Sequence, residues 1–206
     1  MRYSEWEPHY LAILDYFGFD RAQDEEAALL LASMLTRDDL PLLTGLCKGR
    51  HVTVCGNAPC LKNELSKISG SVFAADAAAE VLFNHGIRPD AIFTDLDGAT
   101  DRFLGMNESG TIIVIHAHGD NMPLLRHWVR RFTGPVVGTT QSTPLLHVHN
   151  LGGFTDGDRA VFAADELGTS GITIIGFDLG DMNVDPVKRG KLFWAGKLLG
   201  LIGHGC

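Results

Sequence analysis

From His51 onward the chain alternates short runs rich in β-branched residues with amphipathic segments of helical length, and this alternation leaves few folds open. Strands separated by helix-length segments pair in parallel, because a parallel connection needs a crossover of a dozen residues or so. Seven runs read as strands, at residues 51–55, 71–75, 91–94, 111–115, 136–139, 146–149 and 172–177. Helices are expected after most of them. Only residues 140–145, which contain Pro144, separate the fifth run from the sixth, so a turn and an antiparallel step are expected there. The fold class is α/β, Rossmann-like, with a mostly parallel sheet and flanking helices.

The first 48 residues have a different period. Trp6, Tyr10, Ile13, Leu14 and Phe17 recur at helical spacing, and Asp24 is expected to cap an Ala/Leu-rich helix ending near Leu35. A chain of 206 residues suits one compact domain with its own core. The expected organisation is a small N-terminal helical cap over residues 1–48 and an α/β unit over residues 49–206. The aromatic stripe of the cap reads as packing surface; docking over the site or onto a second copy, as a homo-oligomer, is the alternative.

Composition excludes several function classes. A net charge of −8 does not suit a broad nucleic-acid surface, which needs a basic field. No apolar run reaches the length of a membrane span, and the N-terminal residues lack the basic start and apolar stretch of a signal peptide, so a cytoplasmic location is expected. Cys47, Cys55, Cys60 and Cys206 form no CxxC pair or zinc-ribbon spacing and read as reduced thiols.

Ligands of open α/β sheets bind at the carboxyl ends of the strands. The residues just past the expected strands are Gly56-Asn57, Asp76, Asp95 with Asp97, His116 to Asp120, Gln141-Ser142, Thr155 to Asp158, and Asp178. Single aspartates at such places are ordinary helix caps. The pairs Asp95-x-Asp97 and Asp156-x-Asp158 exceed what capping needs, and clustered carboxylates repel one another unless a cation sits among them. Hard oxygen ligands in an open cleft favour Mg²⁺, which completes its shell with water and substrate phosphates.

The first strand-to-helix turn, Gly56-Asn57-Ala58-Pro59-Cys60-Leu61, matches neither GxGxxG nor GxxxxGK[ST], although its backbone N–H groups are placed to hold a phosphate. His116-x-His118 invites a zinc hydrolase reading, but Asn121 stands where HxHxDH needs a ligand. His147-x-His149 repeats the spacing, and half-buried, hydrogen-bonded histidines explain both pairs. Lys188, Arg189, Lys191 and Lys197 read as a solvated basic face of a C-terminal helix, with one of the first three able to reach phosphates.

Taken in order, these motifs resemble a known family. Gly56-Asn57-Ala58-Pro59-Cys60-Leu61, Ala75-Asp76-Ala77-Ala78, the segment Arg88-Pro89-Asp90 through Thr94-Asp95-Leu96-Asp97-Gly98, His116-Ala117-His118-Gly119-Asp120-Asn121, and Gly153-Phe154-Thr155-Asp156-Gly157-Asp158-Arg159-Ala160 look like the archaeal 6-hydroxymethyl-7,8-dihydropterin diphosphokinases of the MptE type. The layout is more loosely similar to thiamine pyrophosphokinases and to a flagellin-modifying family linked to sugar transfer. The resemblance implies Mg²⁺-dependent diphosphate transfer from ATP to a small hydroxymethyl-pterin, in pterin (tetrahydromethanopterin or folate) biosynthesis.

Carried over by position, it implies that Asp95, Asp97 and Asp120 bind Mg²⁺ and that Asp76 is the acid on the acceptor side. Gly56 and Asn57 would contact the nucleotide, and Gln141, Thr155, Asp156, Asp158 and Arg159 would line the rest of the cleft. The acceptor hydroxyl would attack the β-phosphorus of ATP and release AMP. Phe154 and Asn121 are candidates for stacking on the acceptor ring and reading its edge. The rivals are a thiamine or sugar-transfer relative, a zinc hydrolase built on His116 and His118, and a non-catalytic nucleotide-binding module.

Overall fold

The computed structural model describes residues 1–204, so Cys206 lies outside the described residues. In chain order the elements are α1 (Tyr3–Phe17), α2 (Arg21–Met34), α3 (Leu40–Cys47), β1 (His51–Cys55), α4 (Leu61–Glu64), β2 (Ser71–Ala75), α5 (Ala78–Asn84), β3 (Ala91–Thr94), α6 (Asp101–Glu108), β4 (Ile112–Ala117), α7 (Met122–Trp128), β5 (Val136–Thr140), β6 (Val148–His149), α8 (Asp156–Glu166), β7 (Gly171–Ile175) and α9 (Pro186–Leu201). Seven strands form one sheet in the order β6-β5-β4-β3-β2-β1-β7, and every pairing is parallel.

The order explains the layering. From β1 to β6 the chain steps in one direction across the sheet, so crossovers of one hand stack their helices on one face. Strand residues pointing that way, among them Ile92, Ile113 and Ile115, pack with Leu61, Leu82, Phe103 and Leu125 of α4 to α7. The return from β6 through α8 to β7 runs across the other face. There Val54, Phe73, Phe93 and Val114 meet α3 and the Ala160–Ala164 stretch of α8. Successive strand residues thus feed opposite cores, which is why the strands read as continuous apolar runs.

The N-terminal helices join both layers. Ala27, Ala28 and Leu31 of α2 are fully buried in the first core, and Leu43 and Cys47 of α3 in the second. Trp6, Tyr10, Ile13 and Leu14 of α1 pack with Phe154, Phe162, Trp194 and Leu198, so this part of the aromatic stripe is packing surface, while Phe17 is only partly buried against it. Gly18, at φ +70°, ends α1, and Asp20 caps α2 through a 2.9 Å bond from Ala22 N–H. Asp24, expected at that cap, lies one turn further in.

The expected antiparallel step is also corrected, since β6 pairs parallel to β5, Gly138 with Val148 and Thr139 with His149. Leu145 and Val148 close a small antiparallel bridge, and His147 takes φ +63°, so the loop reverses twice before re-entering the sheet. The Asn150 amide, donating to the carbonyls of Gln141 and Ser142, fastens this double reversal. Among the described residues no helix is long and apolar enough to cross a membrane.

Candidate active site

An all-parallel sheet brings every strand's carboxyl end to one edge, where a cleft of about 940 Å³ opens. Its floor is made by a cluster of acids. After β3 the chain turns through Asp95-Leu96-Asp97 with Leu96 at φ +75°, and after β2 Asp76 takes φ +44°. A non-glycine residue in this region costs on the order of 1–3 kcal/mol and persists only where its surroundings fix it. Here they do.

Leu96 is buried, and its N–H donates to Thr94 Oγ1 at 2.8 Å. The same hydroxyl donates to Asp76 Oδ1 at 2.6 Å. Asp76 N–H continues the ladder to the Phe93 carbonyl at 2.8 Å. Gly98 has to be glycine because a Cβ there would overlap Asp76 Oδ2.

Asp156 arrives from the first position of α8. Thr155 caps that helix, and the Asp158 carboxylate closes the capping box by accepting from the N–H groups of Phe154 and Thr155 and from the Thr155 hydroxyl. The outcome is a triad: one carboxylate oxygen each of Asp76, Asp95 and Asp156 lies within 4.8 Å of the other two.

The electrostatics are those of a crowded anionic site. Burial raises the Asp76 carboxyl and the neighbouring Asp95 charge adds to it, opposed by the Thr94 hydroxyl. Burial and then Asp95 push Asp156 well above the usual range. Burial and then Asp95 push Asp97 up to about 6. Asp95 alone falls below its ordinary value: burial works against this, but hydrogen bonds from the His118 imidazole, the Asp97 N–H and the Asp97 carboxyl outweigh it. His118 Nε2 lies 3.5 Å from Asp95 Oδ2. One ionised carboxylate thus holds its neighbours toward their protonated forms, and a cation would relieve that strain. The all-oxygen set, its proximity and the buried Asp156 Oδ1, which accepts no hydrogen bond and has only the Arg159 guanidinium at 3.5 Å, fit Mg²⁺.

Not every residue expected from sequence falls in the triad. Asp97 and Asp120 line the same cleft and are exposed; Asp97 touches Asp95 through its N–H, but neither belongs to the group whose oxygens all approach one another. Asp158 is fully buried and occupied by its cap, away from the cleft-lining residues. Thr155, Arg159, Gln141, Gly56 and Asn57 all line the cleft. The turn after β1 is less free than expected, because the N–H groups of Gly56 and Ala58 donate to the carbonyls of Ile175 and Gly176. Gly56 is required by that contact, since a Cβ would lie 2.7 Å from the Phe177 ring.

Asn121, a candidate for reading a ring edge, is buried and not among the cleft-lining residues; its amide donates to the carbonyls of Asp95 and His116, tying β3 to β4. His116 is buried, with Nδ1 at 3.2 Å from the Thr139 hydroxyl, and burial holds its pKa well below the usual value. His149 pairs with Asp38 at 3.0 Å. No four-histidine site forms among the described residues, where the carboxylate triad is the sole group of three or more metal-ligating side chains.

The N-terminal helices reach the cleft, the alternative reading of their aromatic stripe, and bring residues to which the sequence reading gave no role. The α1–α2 turn lines the cleft with Phe17, Phe19, Asp20 and Asp24. Asp24, only 4% exposed, accepts from the Tyr10 hydroxyl at 2.8 Å, the Gln141 amide at 2.7 Å and Gly119 N–H at 2.9 Å. Trp6 Nε1 donates to the Gln141 carbonyl, and Arg159 reaches Gln141 Oε1 at 3.3 Å. A lone acid in an Ala/Leu-rich helix signals a cap, and nothing local reveals partners 95 and 117 positions away.

Comparison with known sequences decides the family. The family model described as 6-hydroxymethylpterin diphosphokinase MptE-like matches residues 27–184. The chain belongs to this MptE-like family. Three curated archaeal relatives of this MptE-like chain carry the name 6-hydroxymethyl-7,8-dihydropterin pyrophosphokinase. That of Methanothermobacter thermautotrophicus is 38% identical over 97% of this chain and 94% of its own length. That of Pyrococcus furiosus is 39% identical over 86% and 78%. That of Methanocaldococcus jannaschii is 35% identical over 87% and 81%. The MptE-like chain is therefore an enzyme of the diphosphokinase kind. Among solved structures, the MAf glycosyltransferase from Magnetospirillum magneticum AMB-1 aligns with a TM-score of 0.52 at 16% identity. The alignment covers 86% of this chain and 34% of that one, a likeness of fold.

Proposed function

We propose that this chain transfers the diphosphoryl group of ATP to 6-hydroxymethyl-7,8-dihydropterin, with Mg²⁺, giving AMP and supplying pterin biosynthesis. The observation that carries the reading is the triad Asp76, Asp95 and Asp156 at the sheet's carboxyl edge, in a chain 35–39% identical to relatives named for this activity. Asp76, Asp95 and Asp156 would hold the ion, in place of the set Asp95, Asp97 and Asp120 expected from sequence. Bound Mg²⁺ supplies neutralisation of the charge on the phosphoryl oxygens.

The residues position everything else. His118 fixes the orientation of Asp95, and Thr94 that of Asp76. Asp97 and Asp120 flank the same cleft. Within it the acceptor hydroxyl oxygen would form a bond to the β-phosphorus while its proton passes to a carboxylate or water of the cleft, and the bond from that phosphorus to the oxygen bridging to the α-phosphate would break, AMP leaving with that oxygen. Alignment of the two substrates carries most of the acceleration.

The test is product analysis after incubation with Mg²⁺, ATP and either 6-hydroxymethyl-7,8-dihydropterin or thiamine, resolving AMP from ADP. AMP formed with the pterin alone supports the proposal. ADP, free phosphate, or AMP formed with thiamine instead overturns it.

A further inference from the structure

Arg159 is the one buried Arg or Lys side chain among the described residues, 8% exposed, and it lines the cleft. Burying such a charge is unfavourable unless its donors are matched. Nη2 reaches Gln141 Oε1 at 3.3 Å, and Nη1 lies 3.5 Å from Asp156 Oδ1. The Nε–H has no partner. Guanidinium nitrogens only donate, so what is missing is an acceptor.

Any oxygen would satisfy that N–H alone; its place in the fold narrows the choice. Arg159 belongs to the first turn of α8, where side chains tilt toward the helix N-terminus. Of the N–H groups in that turn, the one on Asp158 goes to the Thr155 hydroxyl and the one on Arg159 to the Thr155 carbonyl, which leaves those of Asp156 and Gly157. Both residues line the cleft. Unspent N–H groups at a helix N-terminus, with a guanidinium among them, favour an anion. Asp156 also gives an oxygen to the triad, so a group that meets Arg159 lies alongside the ion site, where Mg²⁺ completes its shell with phosphate oxygens. The carboxylates of Asp156, Asp158, Asp95 and Asp24 all act on this guanidinium. They would repel a lone anion, so phosphate and cation enter together.

The guanidinium is aimed from behind. Asp24 Oδ1 accepts from Gly119 N–H at 2.9 Å, and its Oδ2 accepts from the Tyr10 hydroxyl at 2.8 Å and the Gln141 amide at 2.7 Å. With its NH2 group held by Asp24, Gln141 turns its oxygen toward Arg159. We infer that the first turn of α8 and the Arg159 guanidinium seat a phosphoryl group of the diphosphate donor beside the ion, and that Asp24 is a positioning residue for that seat, acting through Gln141. The identity of the donor rests on the proposed function.

Titration calorimetry on the full chain tests both parts, with inorganic tripolyphosphate and Mg²⁺ as one probe and 6-hydroxymethylpterin as the other. Arg159→Lys keeps the charge and loses the Nε–H. It should weaken tripolyphosphate binding at least about tenfold, the lower end for hydrogen bonds to a charged group, and move pterin binding by less than about twofold. Asp24→Asn removes a negative charge from the cleft lining, which on charge alone would tighten an anion; acting through Gln141, it should instead weaken tripolyphosphate about threefold or more. Wild-type protein gives a reading that needs no variant to fold: the Arg159 Nε–H resonance should move downfield with Mg²⁺ and tripolyphosphate and stay in place with the pterin. A resonance unmoved by tripolyphosphate overturns the seat. So does Arg159→Lys that leaves tripolyphosphate binding unchanged or weakens the pterin instead, and Asp24→Asn that leaves tripolyphosphate binding unchanged or tightens it overturns the positioning role. AMP released at the wild-type rate by Arg159→Lys removes the seat and leaves the proposed function. Wild-type protein that binds tripolyphosphate through Arg159 but releases no AMP does the reverse.

Discussion

Replacing Thr94 by Val tests how the acidic site is built, because the two side chains are nearly the same shape and differ by one hydroxyl. That hydroxyl is fully buried and performs two tasks, accepting from Leu96 N–H at 2.8 Å and donating to Asp76 Oδ1 at 2.6 Å. Valine leaves a buried N–H unpaired, at a cost of about 1–3 kcal/mol, and removes a bond to a carboxylate worth about 1.5–3 kcal/mol. Asp76 keeps support from the N–H groups of Ala77 and Gly98, so the combined loss falls at about 2–5 kcal/mol. With a urea slope of about 2–3 kcal/mol per molar, the unfolding midpoint should drop by about 1–2 M.

Leu96 at φ +75° loses its anchor in the same step, so Mg²⁺ affinity measured by titration calorimetry should fall with stability. Thr94→Ser keeps the hydroxyl and should recover most of both. A valine variant within about 0.2 M of the wild-type midpoint, with unchanged Mg²⁺ affinity, would refute the claim that this hydroxyl holds the turn.

Four further outcomes follow from the same geometry. Saturating Mg²⁺, at about 100 times its dissociation constant, should stabilise the protein by about 2.7 kcal/mol and raise Tm by about 5–10 °C, an effect that Asp156→Asn should abolish in a thermal scan. Without Mg²⁺, stability should decline as pH rises from the ordinary aspartate value of 3.8 to about 6; over that window the folded Asp97 keeps a proton that the unfolded chain has released, so the slope is negative, and denaturation series at several pH values read it directly. Gly98→Ala should displace the Asp76 carboxylate and lower Mg²⁺ affinity more than it lowers the urea midpoint. Trp6→Phe should cost about 0.5–1.5 kcal/mol by removing the bond to the Gln141 carbonyl, measured by urea unfolding.

How much of this was legible in the sequence depends on the range of the interaction concerned. Strands β1, β2 and β3 match the expected residues because a strand buried on both faces writes a continuous apolar run that needs no partner to be recognised. The direction of β6 was misread because it follows from a double reversal fixed by His147 backbone geometry and the Asn150 amide, neither of which has a local pattern. Asp156 and Asp158 are two residues apart in the same motif and look interchangeable. At the start of a helix, residues two apart point in different directions, so one reaches the triad and the other is buried under its own cap.

The same reasoning explains why the role of the N-terminal helices at the cleft was not legible residue by residue. Their sequence shows helical period and an aromatic stripe, which are properties of packing. What joins them to the cleft is a chain of long-range polar contacts: Trp6 to Gln141, Tyr10 and Gln141 to Asp24, Asp24 to Gly119, and Gln141 to Arg159. Every member except the half-buried Gly119 is buried, so each contact is costly to leave half-made and the group holds together or fails together. The sheet alone places the acids, since they follow directly from strand ends. It does not place Arg159, whose guanidinium is steadied by an amide that α1 and α2 hold from behind. The N-terminal helices thus serve the core and the cleft together, burying Ala27, Leu31 and Leu43 below while Phe17, Phe19 and Asp24 line the cleft above.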